Sequence, residues 1–180
     1  MSFDPFYHKG IGMLSPKMES AFNNQINAEL YSSYLYLAMA AYLHDANLPG
    51  FAHWMTIQAQ EENFHAMKFY NYLVERGGRI RLDAIPKPPE TWDGPLAVLL
   101  ATQEHESKVT ASVNNLMDLA ITEKDHASAS FLRWFVDEQV EEEASVQTLV
   151  QRLRLIGSDG GALYMMDRDL AARTFTPPAE

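Results

Sequence analysis

The chain has no cysteine. Disulfides, thiolate nucleophiles, zinc fingers and cysteine-ligated iron–sulfur centres are therefore excluded, and so is a rubredoxin-type appendage. Basic charge is also scarce, with 14 lysines and arginines against 24 aspartates and glutamates and a formal net charge of −10. A nucleic-acid binder needs the opposite balance, so nucleic acid is set aside as a partner. Long apolar runs are missing too. The uncharged stretch from Leu30 to Leu43 is shorter than the roughly 20 residues of a spanning helix and contains Tyr31, Ser32, Ser33 and Tyr34. No membrane association is expected. The opening MSFDPFYHKG has no basic start followed by an apolar run, so no secretory signal is expected and a cytoplasmic location is.

What is present is enough apolar material for one core: 180 residues, 47% of them hydrophobic. Proline and glycine punctuate it. Ser15-Pro16 opens a helix that runs to about His44, and after DANLPG a second runs from Pro49 to about Arg76, stopped by Gly77-Gly78. Residues 79–93 contain Pro86, Pro88 and Pro89 and no sustained period. A third helix is expected from Pro95 to about Thr122, and a fourth from after EKD to Ile156. GALYMMDRDLAAR reads as a short fifth. Short first–second and third–fourth connections make antiparallel hairpins, and the 79–93 segment is long enough to return along the bundle. The expectation is an all-α four-helix bundle with one long crossover and a short fifth C-terminal helix. Its divisions are an N-terminal extension over 1–14, one domain over 15–172 and a flexible tail over 173–180.

Residues 60–66 read QEENFHA. Glu62 and His65 stand three apart, so on a helix they project about 60° apart from one face, as two ligands of one metal ion do. Alone, this motif is more often a surface pair. The 4-3-4-3 spacing of bundle-facing positions supplies the context. It passes Phe22, Ile26, Glu29, Ser33, Tyr36 and Ala40 in the first helix, and Phe51, Met55, Gln58, Glu62, His65, Phe69 and Tyr72 in the second. In the third it passes Leu96, Leu99, Gln103, Glu106, Thr110, Val113 and Met117, and in the fourth Leu132, Phe135, Gln139, Glu142, Val146, Leu149 and Leu153. Each seam is apolar towards its ends and acidic near its middle. A mid-helix residue stays at one level whichever way its helix points, so the four acidic positions converge on one layer. Buried carboxylates there repel one another unless cations neutralise them, and oxygen and imidazole donors suit hard or borderline metal ions.

Five stretches, NQINAELYSSYLY, QAQEENFHAMKFYNYL, ATQEHES, FLRWFVDEQVEEE and GALYMMDRDL, together resemble the bacterial non-haem ferritins over about residues 15 to 172. The resemblance implies an iron-storing ferroxidase that assembles as a homo-oligomeric shell of 24 subunits, with Fe(II) and dioxygen or peroxide as substrates. It implies a di-iron centre in which Glu29, Glu62 and His65 hold one iron and Glu62 bridges to the second. Glu106 and Glu142 complete the second position, with Gln139 beside it, and Tyr36 adjoins the pair. Glu61, Glu138 and Glu141 match a third, weaker iron site. Two other classes share the buried acids: a di-iron oxygenase or peroxidase-type bundle, and a non-catalytic helical interaction protein with hydrogen-bonded inner carboxylates.

The haem-binding relatives carry a second Glu-x-x-His where this chain has Gln139 and Glu142, and a haem-ligating Met where it has Asn63. No haem is therefore expected. The absorption spectrum of the purified protein should show no Soret band, and a Soret band that copurifies with the chain would refute this.

Overall fold

The computed structural model describes residues 14–177, so residues 1–13 of the expected N-terminal extension and residues 178–180 of the tail lie outside the described residues. Among the described residues five helices occur in the order α1 (Pro16–Asp45), α2 (Pro49–Glu75), α3 (Pro95–Thr122), α4 (His126–Ile156) and α5 (Gly160–Leu170). No strand occurs among the described residues. None of the helices is long and apolar enough to cross a membrane.

Local chemistry sets the ends. Ser15 caps α1 by accepting from the Met18 N–H at 3.2 Å, with Pro16 as first helical residue. At the other end Asn47 takes φ 58°, and the Leu48 N–H returns to the Leu43 carbonyl at 3.0 Å, closing the turn. Gly77 does the same for α2 at φ 72°. Asp125 caps α4 through the Ser128 N–H at 3.1 Å and pairs with Arg76 of α2 at 3.1 Å, tying the two hairpins at that end.

The crossover is fastened at both ends of α1. Near its start, Asn23 donates to the Arg79 carbonyl at 2.9 Å and accepts from the Arg81 N–H at 2.6 Å. At its finish, the Gly94 N–H donates to the Tyr42 hydroxyl at 2.9 Å, and Trp92 packs edge-on against Tyr42. Asn23 and Tyr42 lie about 28 Å apart along the helix axis, by the rise per residue. The segment thus travels most of the bundle, and α2 and α3 run parallel.

The apolar core forms two clusters. One holds Met18, Phe22, Ile26, Phe69, Leu73, Leu116, Leu132 and Phe135. The other holds Tyr36, Met39, Leu43, Phe51, Met55, Leu99, Val146 and Leu153, with Met166 and Leu170 of α5. The expected seams of α2 and α4 are buried except for half-buried Tyr72. In α3 the buried line is Leu99, Thr102, Glu106, Val109, Val113, Leu116 and Ala120, so Gln103, Thr110 and Met117 fall to its flank. That spacing strings the 3-4 steps together in the opposite phase, and α3 turns slightly about its axis while Glu106 keeps its place.

α2 has no cap from its own flank, because Leu48 stands at that position. Asp167 of α5 supplies it: one carboxylate oxygen accepts from the Gly50 and Phe51 N–H groups at 2.8 and 2.9 Å. These are the second and third residues of α2, the two donors an N-cap side chain serves. A Cβ at position 50 would sit 1.7 Å from the Asp167 carbonyl oxygen, so only glycine permits this approach. Asp167→Ala should lower stability by about 1–2 kcal/mol, the usual worth of a cap. Limited proteolysis should then cut near α5, as it should in Gly50→Ala; unchanged protection in both variants would contradict a docking role.

Candidate metal centre

Between the two apolar clusters lies a polar layer. Glu29, Glu62, His65, Glu106, Gln139 and Glu142 are all buried, with Glu62 and Glu106 at 0% exposure. Glu29, Glu62 and His65 each offer a ligand atom within 4.8 Å of the other two, the one such convergent group among the described residues. Glu106 and Glu142 approach from α3 and α4, close enough for their charges to act on Glu62.

Three glutamines hold three of the four carboxylates. Gln25 donates to Glu29 Oε1 at 2.8 Å while its own oxygen accepts from Ser112 at 2.5 Å. Gln58 donates to Glu142 Oε2 at 2.9 Å. Gln139 donates to Glu106 Oε2 and to Thr110 Oγ1, each at 3.2 Å, and Thr110 in turn donates to Glu143 at 2.6 Å. The Tyr36 hydroxyl donates to the other Glu106 oxygen. Glu62 is treated differently. No amide, hydroxyl or ring N–H donates to either of its oxygens or to Glu29 Oε2, and the Glu29 and Glu62 carboxyls can bond each other only when one of them holds a proton. Orphaned acceptors in a dry interior are costly, and a cation is the partner that three converging oxygens and an imidazole fit.

His65 is held by its surroundings. Its Nδ1 lies 3.6 Å from Glu62 Oε2, and the ring packs edge-on against Trp134 at 5.4 Å and Phe135 at 5.9 Å. A walled imidazole cannot swing away from its carboxylate neighbours. On α1, Ser32 bonds His105 Nε2 at 2.7 Å, and burial lowers the His105 pKa to about 4, so this ring is neutral near pH 7 and adds no charge beside Glu106.

The three residues matched to a third site lie at the edge of the layer. Glu61 is half-buried and paired with Arg173 at 2.5 Å, Glu138 is half-buried and Glu141 exposed. They do not form a convergent group. Sequence reasoning gave no role to Gln25, Gln58 or Arg173. The first two were visible as amides spaced four from Glu29 and Glu62; for Arg173 no local signal existed, because its partners are more than a hundred residues away.

A four-helix bundle with one long crossover and a central carboxylate–histidine layer defines the ferritin-like class. The sequence pattern of the family described as the ferritin-like domain matches residues 19–156. A bacterial non-haem ferritin of Staphylococcus saprophyticus is 42% identical over 163 residues, covering 91% of this chain and 98% of that one. One from Staphylococcus aureus is 40% identical over the same shares. Among solved structures, an open-pore ferritin from the hyperthermophilic archaeon Archaeoglobus fulgidus is 50% identical with a TM-score of 0.89, covering 89% of this chain and 99% of that one. A closed form of the same archaeal protein, engineered by mutagenesis, is 51% identical with a TM-score of 0.89 over 91% and 99%. The chain belongs to the ferritin family.

Burial, reinforced by neighbouring carboxylates, pushes Glu29 and Glu62 well above the ordinary carboxylate range, and Glu106 to about 7. Folded-state values raised this way mean that the folded chain retains protons the unfolded chain gives up above about 4.5. The stability linked to them is complete below that pH and is lost as pH rises through about 7, with Glu29 and Glu62 adding to the same loss. Metal-free protein should therefore melt several degrees lower at about pH 8 than at about pH 5. Zn(II) should recover most of that difference, since a cation replaces the protons. A metal-free melting temperature that holds or rises across the window would contradict the arrangement.

Proposed function

We propose that the chain is an iron-storage ferritin that oxidises Fe(II) to Fe(III) at a di-iron ferroxidase centre formed by Glu29, Glu62, His65, Glu106, Gln139 and Glu142. The ferric product passes to the cavity of a 24-subunit shell and mineralises there. The observation that carries this reading is Glu62: wholly buried, with both oxygens unpartnered, between the Glu29–His65 side and the Glu106–Glu142 side. One carboxylate with two free oxygens is what a bridge between two cations requires.

Charge sets the chemistry. Glu29, Glu62, Glu106 and Glu142 carry four negative charges when ionised, which two Fe(II) ions neutralise. Each Fe(II) gives up one electron; together they reduce dioxygen to hydrogen peroxide, or peroxide to water, with two protons consumed. The ferric pair then exceeds the carboxylate charge by two. Hydrolysis of water beside it restores neutrality and detaches the product. Gln139 presents a neutral amide where a further carboxylate would over-stabilise the ferric pair, and its contacts to Glu106 and Thr110 hold that amide in place. Tyr36 keeps Glu106 oriented through its hydroxyl. Glu61, Glu138 and Glu141 form the outgoing edge of the same layer.

Assembly is supported by apolar side chains left exposed on the α1–α2 hairpin and the crossover: Tyr34, Leu37, Met67, Leu82 and Ile85. A second copy of the chain suits such a face. An oxygenase acting on an organic substrate fits less well, because the cleft beside Gln139 holds about 120 Å³, below the roughly 300–1,000 Å³ of small-molecule pockets, and the groove of about 690 Å³ along α1 and α2 is lined by Leu37, Asn63, Phe64 and Met67 with no residue of the buried layer. A purely interacting bundle would have to keep a proton on the Glu29–Glu62 pair at neutral pH with no other donor to either Glu62 oxygen.

Anaerobic loading with Fe(II) followed by air should produce ferric absorbance that grows with time, in a particle sized as a 24-subunit shell. Glu62→Ala should slow that growth by at least about tenfold. Gln139→Glu should still oxidise iron but slow its transfer to the mineral. A monomeric or dimeric particle with no ferric signal would sink the storage reading, and unchanged transfer in Gln139→Glu would sink the role given to the amide.

A further inference from the structure

Arg173 stands three residues beyond the end of α5 and turns back onto α2. Its guanidinium lies 2.5 Å from Glu61 Oε2, also donates to Gln58 Oε1, and stacks 4.5 Å over the Trp54 ring. Trp54, Gln58 and Glu61 follow the i, i+4, i+7 spacing of one helix face, so a single side chain spans a stripe of α2. On either side of it the Arg173 carbonyl faces His53 Nε2 at 2.9 Å, and Phe175 packs edge-on against Phe64 at 5.8 Å. The stretch read from sequence as a loose tail is thus laid along α2 at least as far as Phe175.

The middle of that stripe reaches the buried layer. Gln58 is 0% exposed, and both ends of its amide are in use: the oxygen accepts from Arg173 while the nitrogen donates to Glu142 Oε2 at 2.9 Å. An amide has two orientations a half-turn apart. In the other one the NH2 would face the guanidinium, donor against donor, and the oxygen would face the Glu142 carboxylate, acceptor against acceptor. A guanidinium neither accepts a hydrogen bond nor gives up its charge, so it selects one orientation outright. Gln25 is backed by the Ser112 hydroxyl, which can turn and take either role. Glu61 and Trp54 already fasten the guanidinium to α2. The third contact is the one that reaches the layer.

We infer that Arg173 is a positioning residue of the paired centre: it holds the Gln58 amide in the orientation that donates to Glu142, and so fixes how that carboxylate is presented to a metal ion. This rests on the di-iron reading, in which Glu142 serves the second position. The first position does not depend on the tail, because Glu29, Glu62 and His65 converge on their own. Without Arg173 the amide is held from one side only, and Glu142 is free to turn with it. Glu61 has a defined part in this arrangement, as the anchor that keeps the guanidinium against Gln58. Asp167 has another: by fixing α5 on the first turn of α2 it delivers the segment behind it to the stripe. A segment without regular structure, itself touching none of the six residues of the centre, thereby sets the quality of one of its ligands.

The test uses the assembled, metal-free full chain, titrated without air with Co(II) and Zn(II) and followed by Co(II) absorbance and calorimetry. Wild type should take two ions per subunit, the first at Glu29–Glu62–His65. Arg173→Ala should weaken the second by at least about tenfold, the usual effect of removing a group that orients a ligand. The absorbance of the second Co(II) should change with it, and the first ion should bind as before. Gln58→Ala should do the same, and the double variant should lose no more than the larger single loss, because the two residues act in one line. Guanidinium ion, added below denaturing concentration, should restore part of the second affinity in Arg173→Ala and none in Gln58→Ala. Arg173→Lys keeps the charge but offers one point where two are needed, so it should fall between wild type and Arg173→Ala. It also tests the role in a chain whose tail still carries a cation for Glu61. A lowered melting temperature in Arg173→Ala with the second affinity and absorbance unchanged would make Arg173 a fastener of the tail alone and overturn the inference, as would losses that add in the double variant. Wild type that takes a single ion would overturn the di-iron reading beneath it, and this role with it.

Discussion

Four carboxylates buried in one layer at the middle of a bundle are the constraint on which the other features depend. Apolar burial drives the assembly, yet the core is divided in two by a layer that, empty of cations, works against it. The two flanking clusters must together overcome the desolvation of Glu29, Glu62, Glu106 and Glu142. Protonation of Glu29, Glu62 and Glu106 eases that cost in the metal-free chain, and on the proposed di-iron reading a divalent pair would remove it.

The scaffold converts that cost into geometry. Gln25, Gln58 and Gln139 each spend one end of an amide on a carboxylate, and the first two fix the other end against Ser112 and Arg173. Glu62, left without such an amide, is the one carboxylate free to answer both sides of the centre. The crossover pinned at Asn23 and Tyr42 keeps α2 and α3 parallel, which brings Glu62 and Glu106 to the same level. Lengthening or freeing that strap would leave the hairpins intact and lose the register between them.

Much of this was legible in the residues. Proline and glycine marked the helix boundaries because φ restriction and left-handed turns act locally, and the boundaries expected at Pro16, Pro49, Pro95 and Ile156 coincide with those observed. The buried polar layer was legible because mid-helix position and seam position together fix a residue in space. Where several phases of the 3-4 alternation were available, as in α3, periodicity alone misplaced Gln103, Thr110 and Met117 by one step. The contacts of Asp167 and Arg173 had no sequence signature at all. They depend on where α5 lands, and nothing within a few residues of either encodes the partner.

The cap that Asp167 gives to α2 has a consequence for biosynthesis. A chain made from its N-terminus completes the α1–α2 hairpin long before residue 167 is polymerised. Until then the second and third N–H groups of α2 lack their acceptor, and Gly50 leaves that turn with no side chain to steady it. The first hairpin therefore waits on the last helix to finish its own first turn. Until Asp167 emerges, water alone serves the Gly50 and Phe51 N–H groups.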